Sequence, residues 1–263
     1  MSSELVDIIN KYTKEDIIVA FSGGVDSSLV LKIACNTAKK NNKRVYAITM
    51  NTFLHSNIEI EEATRLAKKE GAIPIIIEAN ELSQGDIKNN PKNRCYLCKR
   101  YLFTLLRDRA RELNINYILE GTNISDTLEY RPGIKALKEL DIKSPLIEAN
   151  LIKQKIREIA KKYDITVSDK PSTPCLATRF PYGTQLRIED IKKVELAEAK
   201  IKQIGDFYNV RVRVHNDTVR VEVDEEKICS IIKYKYGIIR ELKKLGYKYI
   251  TIDLEGFRSG SMD

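Results

Sequence analysis

Short β-branched runs alternate with amphipathic stretches through the first two thirds of the chain, the pattern of a sheet covered by helices on both faces. Asp16 to Phe21 reads as a buried strand, Val25 to Lys40 as a helix with Leu29, Val30, Ile33 and Ala34 inward, and Arg44 to Met50 as the next strand. Helix Ile58 to Glu70 and strand Ile73 to Ile77 repeat the unit. A helix from about Leu97 to Leu113, the strand Tyr117 to Leu119 and a helix from Leu151 to Tyr163 follow. The fold class is therefore α/β, a doubly wound and mostly parallel sheet.

After Lys170 the texture changes, because Pro171, Pro174, Pro181 and Gly183 interrupt any helix or central strand. The expected organisation is a domain over 1–170, a linker over 171–184 that carries Cys175, and a smaller α+β domain over 185–263. In that last part Glu189 to Ile204 has helical spacing. Val210 to Val214 and Val219 to Val223 alternate apolar and polar residues around a turn, which predicts a hairpin. One helical span from about Glu225 to Leu245 and a strand from Tyr247 to Leu254 close the domain.

The 263 residues, 43% hydrophobic and 31% charged, fit an ordered chain of two domains. No run approaches the roughly 20 apolar residues of a membrane helix, and Met1 to Lys14 lacks a signal-peptide core, so a cytoplasmic protein without a membrane partner is expected. The net charge of +8 favours a polyanionic partner, a nucleotide or nucleic acid. Against a nucleic-acid footprint, the pairs Lys39-Lys40, Lys68-Lys69, Lys161-Lys162 and Lys243-Lys244 fall where helices end, which is where the helix dipole favours cations. Five cysteines, an odd number with Cys95 and Cys98 close together, suit thiol or metal chemistry rather than a disulfide framework.

The chemistry begins directly after the first strand. Ser22-Gly23-Gly24-Val25-Asp26-Ser27-Ser28 opens the first crossover helix. Two glycines let backbone approach phosphate oxygens, Ser22, Ser27 and Ser28 add hydroxyls, and the free N–H groups of a helix start point at the anion. A Walker loop would need Gly-Lys-Ser or Gly-Lys-Thr there, and no lysine is present. Ser22 to Ser27 matches Ser-Gly-Gly-x-Asp-Ser in full, so the chain resembles the PP-loop ATP pyrophosphatase superfamily. That resemblance implies an adenine nucleotide α-hydrolase-like fold, ATP as cosubstrate and transfer of AMP to an oxygen of a second substrate. Asp26 inside a phosphate cradle calls for a cation, Mg2+. Glu120-Gly121-Thr122-Asn123, with Asp126 close behind, looks like the superfamily's second nucleotide-side loop, which makes Gly121 and Asn123 further nucleotide contacts.

Cys95-Tyr96-Leu97-Cys98 stands at a helix start and Cys175 in the proline-rich linker. A CxxC pair alone is half a zinc site, a redox pair or two core thiols. Cys35 and Cys229 lie among apolar residues and read as small buried thiols, while His55 and His215 add little, so a four-ligand zinc site lacks donors. Three thiolates suit a [4Fe-4S] cluster with one iron open. Pro174-Cys175-Leu176-Ala177-Thr178-Arg179-Phe180-Pro181-Tyr182-Gly183 resembles the linker of the LarE-type sulfur transferases, and Asp253 to Met262 resembles their C-terminus.

The resemblance implies adenylation of a carboxylate of pyridinium-3,5-biscarboxylic acid mononucleotide and replacement of its oxygen by sulfur, for the nickel-pincer nucleotide of lactate racemase. It implies sulfide from a cluster on Cys95, Cys98 and Cys175, with Asp26 beside the reacting phosphates. Other members sacrifice the sulfur of one cysteine at the position of Cys175. It also implies a homo-oligomer, a hexamer; a sulfide donor is a further expected partner. Glu198, Arg211 and Arg213 fall in the part of the second domain used for substrate. Read from the residues alone they are equally a solvated helix face and the polar face of a hairpin. A mononucleotide phosphate suits a bidentate arginine, so Arg211 and Arg213, with Arg179 and Arg258, are the candidate anion contacts. The rival is a PP-loop tRNA thiolase, but the second domain lacks a zinc ribbon or a basic strip with stacking aromatics.

Overall fold

The structure, a computed structural model, describes residues 2–54, 57–128, 131–166, 175–258 and 261–262. Of the positions singled out in sequence, His55, Pro171, Pro174, Ser259 and Gly260 lie outside the described residues. The chain forms two compact units, Met1–Glu81 with Asn93–Thr173, and Leu82–Lys92 with Pro174–Asp263.

In chain order the elements are α1 (Ser2–Tyr12), β1 (Ile17–Ala20), α2 (Val25–Lys40), β2 (Val45–Thr52), α3 (Asn57–Lys69), β3 (Ile73–Ala79) and α4 (Gly85–Lys88), the last within the second unit. The first unit continues with α5 (Arg94–Glu112), β4 (Tyr117–Leu119), α6 (Ile124–Thr127), α7 (Gly133–Glu139), α8 (Pro145–Glu148) and α9 (Lys153–Lys162). Its strands run in the order β3-β2-β1-β4, each neighbouring pair parallel. The doubly wound α/β sheet is thus present. Ile17 and Val19 of β1 pack with Leu5, Leu29, Ile33 and Ile156, whereas Ile18 packs on the other side with Leu106, Ile118 and Leu137. Both faces are covered, which is why β1 reads as a continuous apolar run, each side chain contributing about 1.5–3 kcal/mol on full burial. The order reverses between β1 and β4. That makes their carboxyl ends the topological switch point, where such sheets bind ligands.

The second unit adds α10 (Ile188–Gly205), the hairpin β5 (Val210–His215) and β6 (Thr218–Val223), α11 (Ile228–Lys233), α12 (Lys235–Lys244) and β7 (Tyr249–Ile252). The strand order is β5-β6-β7, with β7 parallel to β6. Asn90 of the 82–92 segment donates from Nδ2 to the carbonyls of Phe180 (3.2 Å) and Pro181 (2.8 Å), and its own carbonyl accepts the Gly183 N–H at 2.9 Å. The single helix expected over 225–245 is instead a 3-10 turn followed by α11 and α12, broken at Tyr234, whose ring meets Phe207 edge-on at 6.2 Å. Cys229 on α11 is exposed, which corrects its reading as a buried thiol; Cys35 is buried as expected, its pKa pushed up to about 12 by burial first and Glu70 second.

Candidate functional site

The loop after β1 folds on itself as its composition dictates. Gly23 takes a left-handed φ of +73° and lies against Ala63 of α3, with ordinary contact distance available to a Cβ but strained backbone for any other residue. The Ser27 hydroxyl donates to the Gly24 carbonyl (3.1 Å) and lies 3.2 Å from that of Ser22, which accepts the Gly24 N–H at 3.4 Å. Gly24 caps α2 with extended dihedrals and no side-chain acceptor on the first-turn N–H groups. The Ser28 hydroxyl is buried without a partner. The 16-residue helix α2 therefore begins with no side chain capping its first amides, the arrangement in which a helix start can take an anion.

Asp26 is the exception in this electropositive corner. One carboxylate oxygen pairs with Lys153, while Oδ1 is buried and has no hydrogen-bond partner. Burial raises its pKa above the ordinary carboxylate value; Lys153 pulls it back, and the charge of Asp126 raises it further. A buried acceptor without a donor, beside a phosphate cradle, is what a bound cation would complete.

The loop after β4 closes the other side. A Cβ on Gly121 would stand 2.8 Å from the Ser27 nitrogen and 3.1 Å from Asp26 atoms, so the backbone lies directly on the start of α2 and only glycine fits. Asn123 caps α6 in a reciprocal box with Asp126, and its Nδ2 is buried without an acceptor. Glu120 accepts from Thr122 N–H (2.9 Å), Thr122 Oγ1 (2.5 Å) and Ser144 Oγ (2.5 Å), which fixes the loop; Lys99 stands 4.0 Å away. Lys99 lies on the second turn of α5, so the start of that helix stands beside this loop. The Lys99 contact ties the neighbouring Cys98 to it.

α5 begins at Arg94, earlier than the sequence suggests, so Cys95 and Cys98 sit one turn apart on its first turns, the former exposed and the latter half-buried. Cys175 belongs to the second unit and opens the 3-10 turn Leu176–Arg179. None of the three is in a disulfide. Among the described residues no group of three or more His, Cys, Asp or Glu stands ready to hold a metal ion.

In the second unit the valines of β5 and β6 form its core, and the residues of the opposite face, for which a solvated face is one of the two readings, are mostly buried. Arg179 is 1% exposed, Arg211 and Arg213 5%, Glu198 8% and Glu222 0%. Arg179 binds both oxygens of Glu198 at 2.8 and 3.0 Å; Arg213 binds Glu222 at 2.9 and 3.0 Å. Arg211 has no carboxylate of its own. Its guanidinium lies 4.9 Å from the Phe257 ring centre, Nη1 donates to the Val210 carbonyl, and Nε is buried without a partner. Burial first, then the charge of Arg179, lowers its pKa to about 10. The C-terminal segment covers this face: Ser261 Oγ donates to Glu222 (2.7 Å), and Arg258 is committed to Glu255 (2.7 Å) and Asp253 (3.3 Å).

Two residues of the first site were missed from sequence, Glu120 as the organiser of its loop and Lys153 as the partner of Asp26. A signal for Lys153 existed, since a lysine at the first position of α9, with no acid in that turn, opposes the helix dipole without a structural reason.

A PP-loop domain family model matches residues 1–131. The chain is 37% identical over 247 residues to the pyridinium-3,5-bisthiocarboxylic acid mononucleotide synthase of Lactiplantibacillus plantarum, covering 94% of this chain and 88% of that one. It is 35% identical over 248 residues to an uncharacterised protein of Synechocystis sp., covering 94% and 91%. Similarity to a tRNA-specific 2-thiouridylase of Clostridium tetani is lower, 27% over 261 residues, covering 84% and 69%. With a full PP-loop at the switch point and similarity that spans both units, the chain belongs to the LarE-type family of the PP-loop proteins.

Proposed function

We propose that this chain is an ATP-dependent, AMP-forming sulfur transferase acting on a carboxylate of pyridinium-3,5-biscarboxylic acid mononucleotide. The observation that carries the nucleotide half of this reading is Asp26 Oδ1, buried and without a donor beside free α2 amides. The pyrophosphate of ATP occupies Ser22, Gly23, Gly24, Ser27 and Ser28, with Gly121 and Asn123 on its flank. Asp26 would hold Mg2+, which would supply charge neutralisation there, and Lys153, paired with Asp26 in this structure, stands beside the same cradle. A substrate carboxylate oxygen attacks the α-phosphorus, the bond to the bridging oxygen breaks, and pyrophosphate leaves with that electron pair while loop amides stabilise the developing charge. The mixed anhydride has AMP as leaving group, and attack of sulfur at its carbonyl carbon expels AMP; a free carboxylate would have to expel oxide.

The donor set fits an iron–sulfur group, with two thiols one helix turn apart and a third in the second unit, none of them in a disulfide. Cys95, Cys98 and Cys175 would hold a [4Fe-4S] cluster, and such a cluster supplies an open iron at which sulfide is carried. For the substrate phosphate, Arg211 is the strongest candidate, because among the described arginines whose buried Nε lacks a hydrogen-bond partner, Arg157, Arg211 and Arg220, it is the one whose whole side chain is buried.

The test is anaerobic purification with iron and acid-labile sulfide measured per chain, in wild type and Cys95→Ala. About four irons, lost in the variant, are expected. Absence of iron after reconstitution removes the cluster and makes Cys175 a consumed donor, detectable as dehydroalanine after turnover. AMP release compared with the pyridinium mononucleotide and with bulk tRNA separates this reading from a tRNA thiolase.

A further inference from the structure

We infer that Arg179, Glu198, Arg213 and Glu222, acting through Thr178, are positioning residues that set the direction in which Cys175 presents its sulfur. The Cys175 carbonyl accepts three hydrogen bonds, from the Thr178 N–H (3.0 Å), Thr178 Oγ1 (2.8 Å) and Arg179 Nη1 (3.3 Å). With that peptide fixed, the Cα of Cys175 is fixed too, and only its ψ, here 133°, and χ1 are left to aim Sγ.

The turn is gripped from two sides. On the α10 side, Glu198 takes both forks of Arg179, and its Oε1 also accepts the Val212 N–H at 2.9 Å, so the carboxylate is locked to the edge of β5. Arg179 Nη1 reaches Thr178 Oγ1 at 3.0 Å as well. On the hairpin side, Arg213 Nη1 donates to the Thr178 carbonyl at 2.9 Å while its other donors hold Glu222. Both arginines are nearly excluded from water, Arg179 bidentate on Glu198 and Arg213 with two donors on Glu222 Oε2, where such charge-assisted bonds are strongest. They therefore serve the cysteine, and the anion role falls to Arg211. This deepens the proposed function, since a thiol that handles sulfur must face one way, and it rests on that reading for its meaning.

The test is iodoacetamide alkylation of the reduced, metal-free full chain, with Cys175 followed by peptide mass spectrometry against Cys229 in the same unit. Thr178→Val keeps the shape and removes the hydroxyl. It is expected to speed Cys175 alkylation roughly fivefold, the factor carried by one neutral hydrogen bond, as the half-buried thiol gains orientations. Thr178→Ser should alkylate as wild type does, and Cys229 should not respond in either. If Thr178→Val and Arg179→Lys, both folded by circular dichroism, leave the Cys175 rate unchanged, the inference falls; an equal rise at Cys229 overturns it as well. Should wild type take up no iron while the Cys175 rates respond as stated, the cluster reading fails and the positioning role stands.

Discussion

Asp26 and Arg211, the charges proposed as ligand contacts, each carry a buried polar atom without a hydrogen-bond partner, and they are of opposite sign. Asp26 is held by Lys153 through one oxygen only. Its folded pKa is raised, so the protonated form is the one folding favours; that stabilisation is present at low pH and is lost as pH rises through the raised value. Cation binding has the opposite dependence and should weaken as pH falls through the same range. Asp26→Asn mimics the protonated form. Ligand-free melting temperature at neutral pH should not fall, while ATP-dependent pyrophosphate release is lost, which scanning calorimetry and a pyrophosphate assay would read together.

Arg211 presents the converse. It remains charged throughout the neutral range, since even its lowered pKa is about 10, so its desolvation penalty is in force wherever the protein works. Arg211→Gln should raise the ligand-free melting temperature, by about 2–4 °C for each kcal/mol relieved, and should abolish the further rise that inorganic phosphate gives wild type. A variant that melts lower, or keeps the phosphate effect, would remove Arg211 from the substrate site.

At the scale of elements, the approach of one loop to another decides whether the nucleotide site exists. Gly121→Ala would press a methyl to 2.8 Å from the Ser27 nitrogen, where backbone cannot yield cheaply. The expected cost is about 1–3 kcal/mol together with loss of ATP protection of the loop, measurable by denaturant unfolding and nucleotide binding. This contact could not be read from sequence, because Gly121 and Ser27 are neighbours only through the adjacency of β1 and β4. Local pattern did carry the elements of the first sheet: β1 is apolar on both faces, Gly23 and Gly24 follow it at once, and the lysine pairs sit in the last turns of α2, α3, α9 and α12. It failed where tertiary partners override a local rule. The alternation of β5 and β6 was legible, but nothing nearby in sequence announces that Thr178, Phe257 and Ser261 cover the polar face. The break at Tyr234 and the membership of 82–92 in the second unit are long-range effects of the same kind.

For the whole molecule, the two units divide the proposed chemistry, with the nucleotide loops on the first and the buried arginines with Cys175 on the second. Ligands should therefore report on different parts of the chain. A ligand at a hundred times its Kd stabilises the state that binds it by about 2.7 kcal/mol, enough to slow local opening by roughly a hundredfold where its contacts lie. Hydrogen exchange with ATP and Mg2+ should protect residues 22–28 and 120–126 and leave β5 and β6 unchanged, because free amides of α2 and the Gly121 loop are the groups engaged. Inorganic phosphate in place of the nucleotide substrate should protect β5 around Arg211 and the turn at Phe257, and Arg211→Gln should erase that response. If phosphate instead protects only residues 22–28, the second unit holds no anion site of its own and the assignment of the mononucleotide phosphate to Arg211 fails, while the adenylation chemistry of the first unit is untouched.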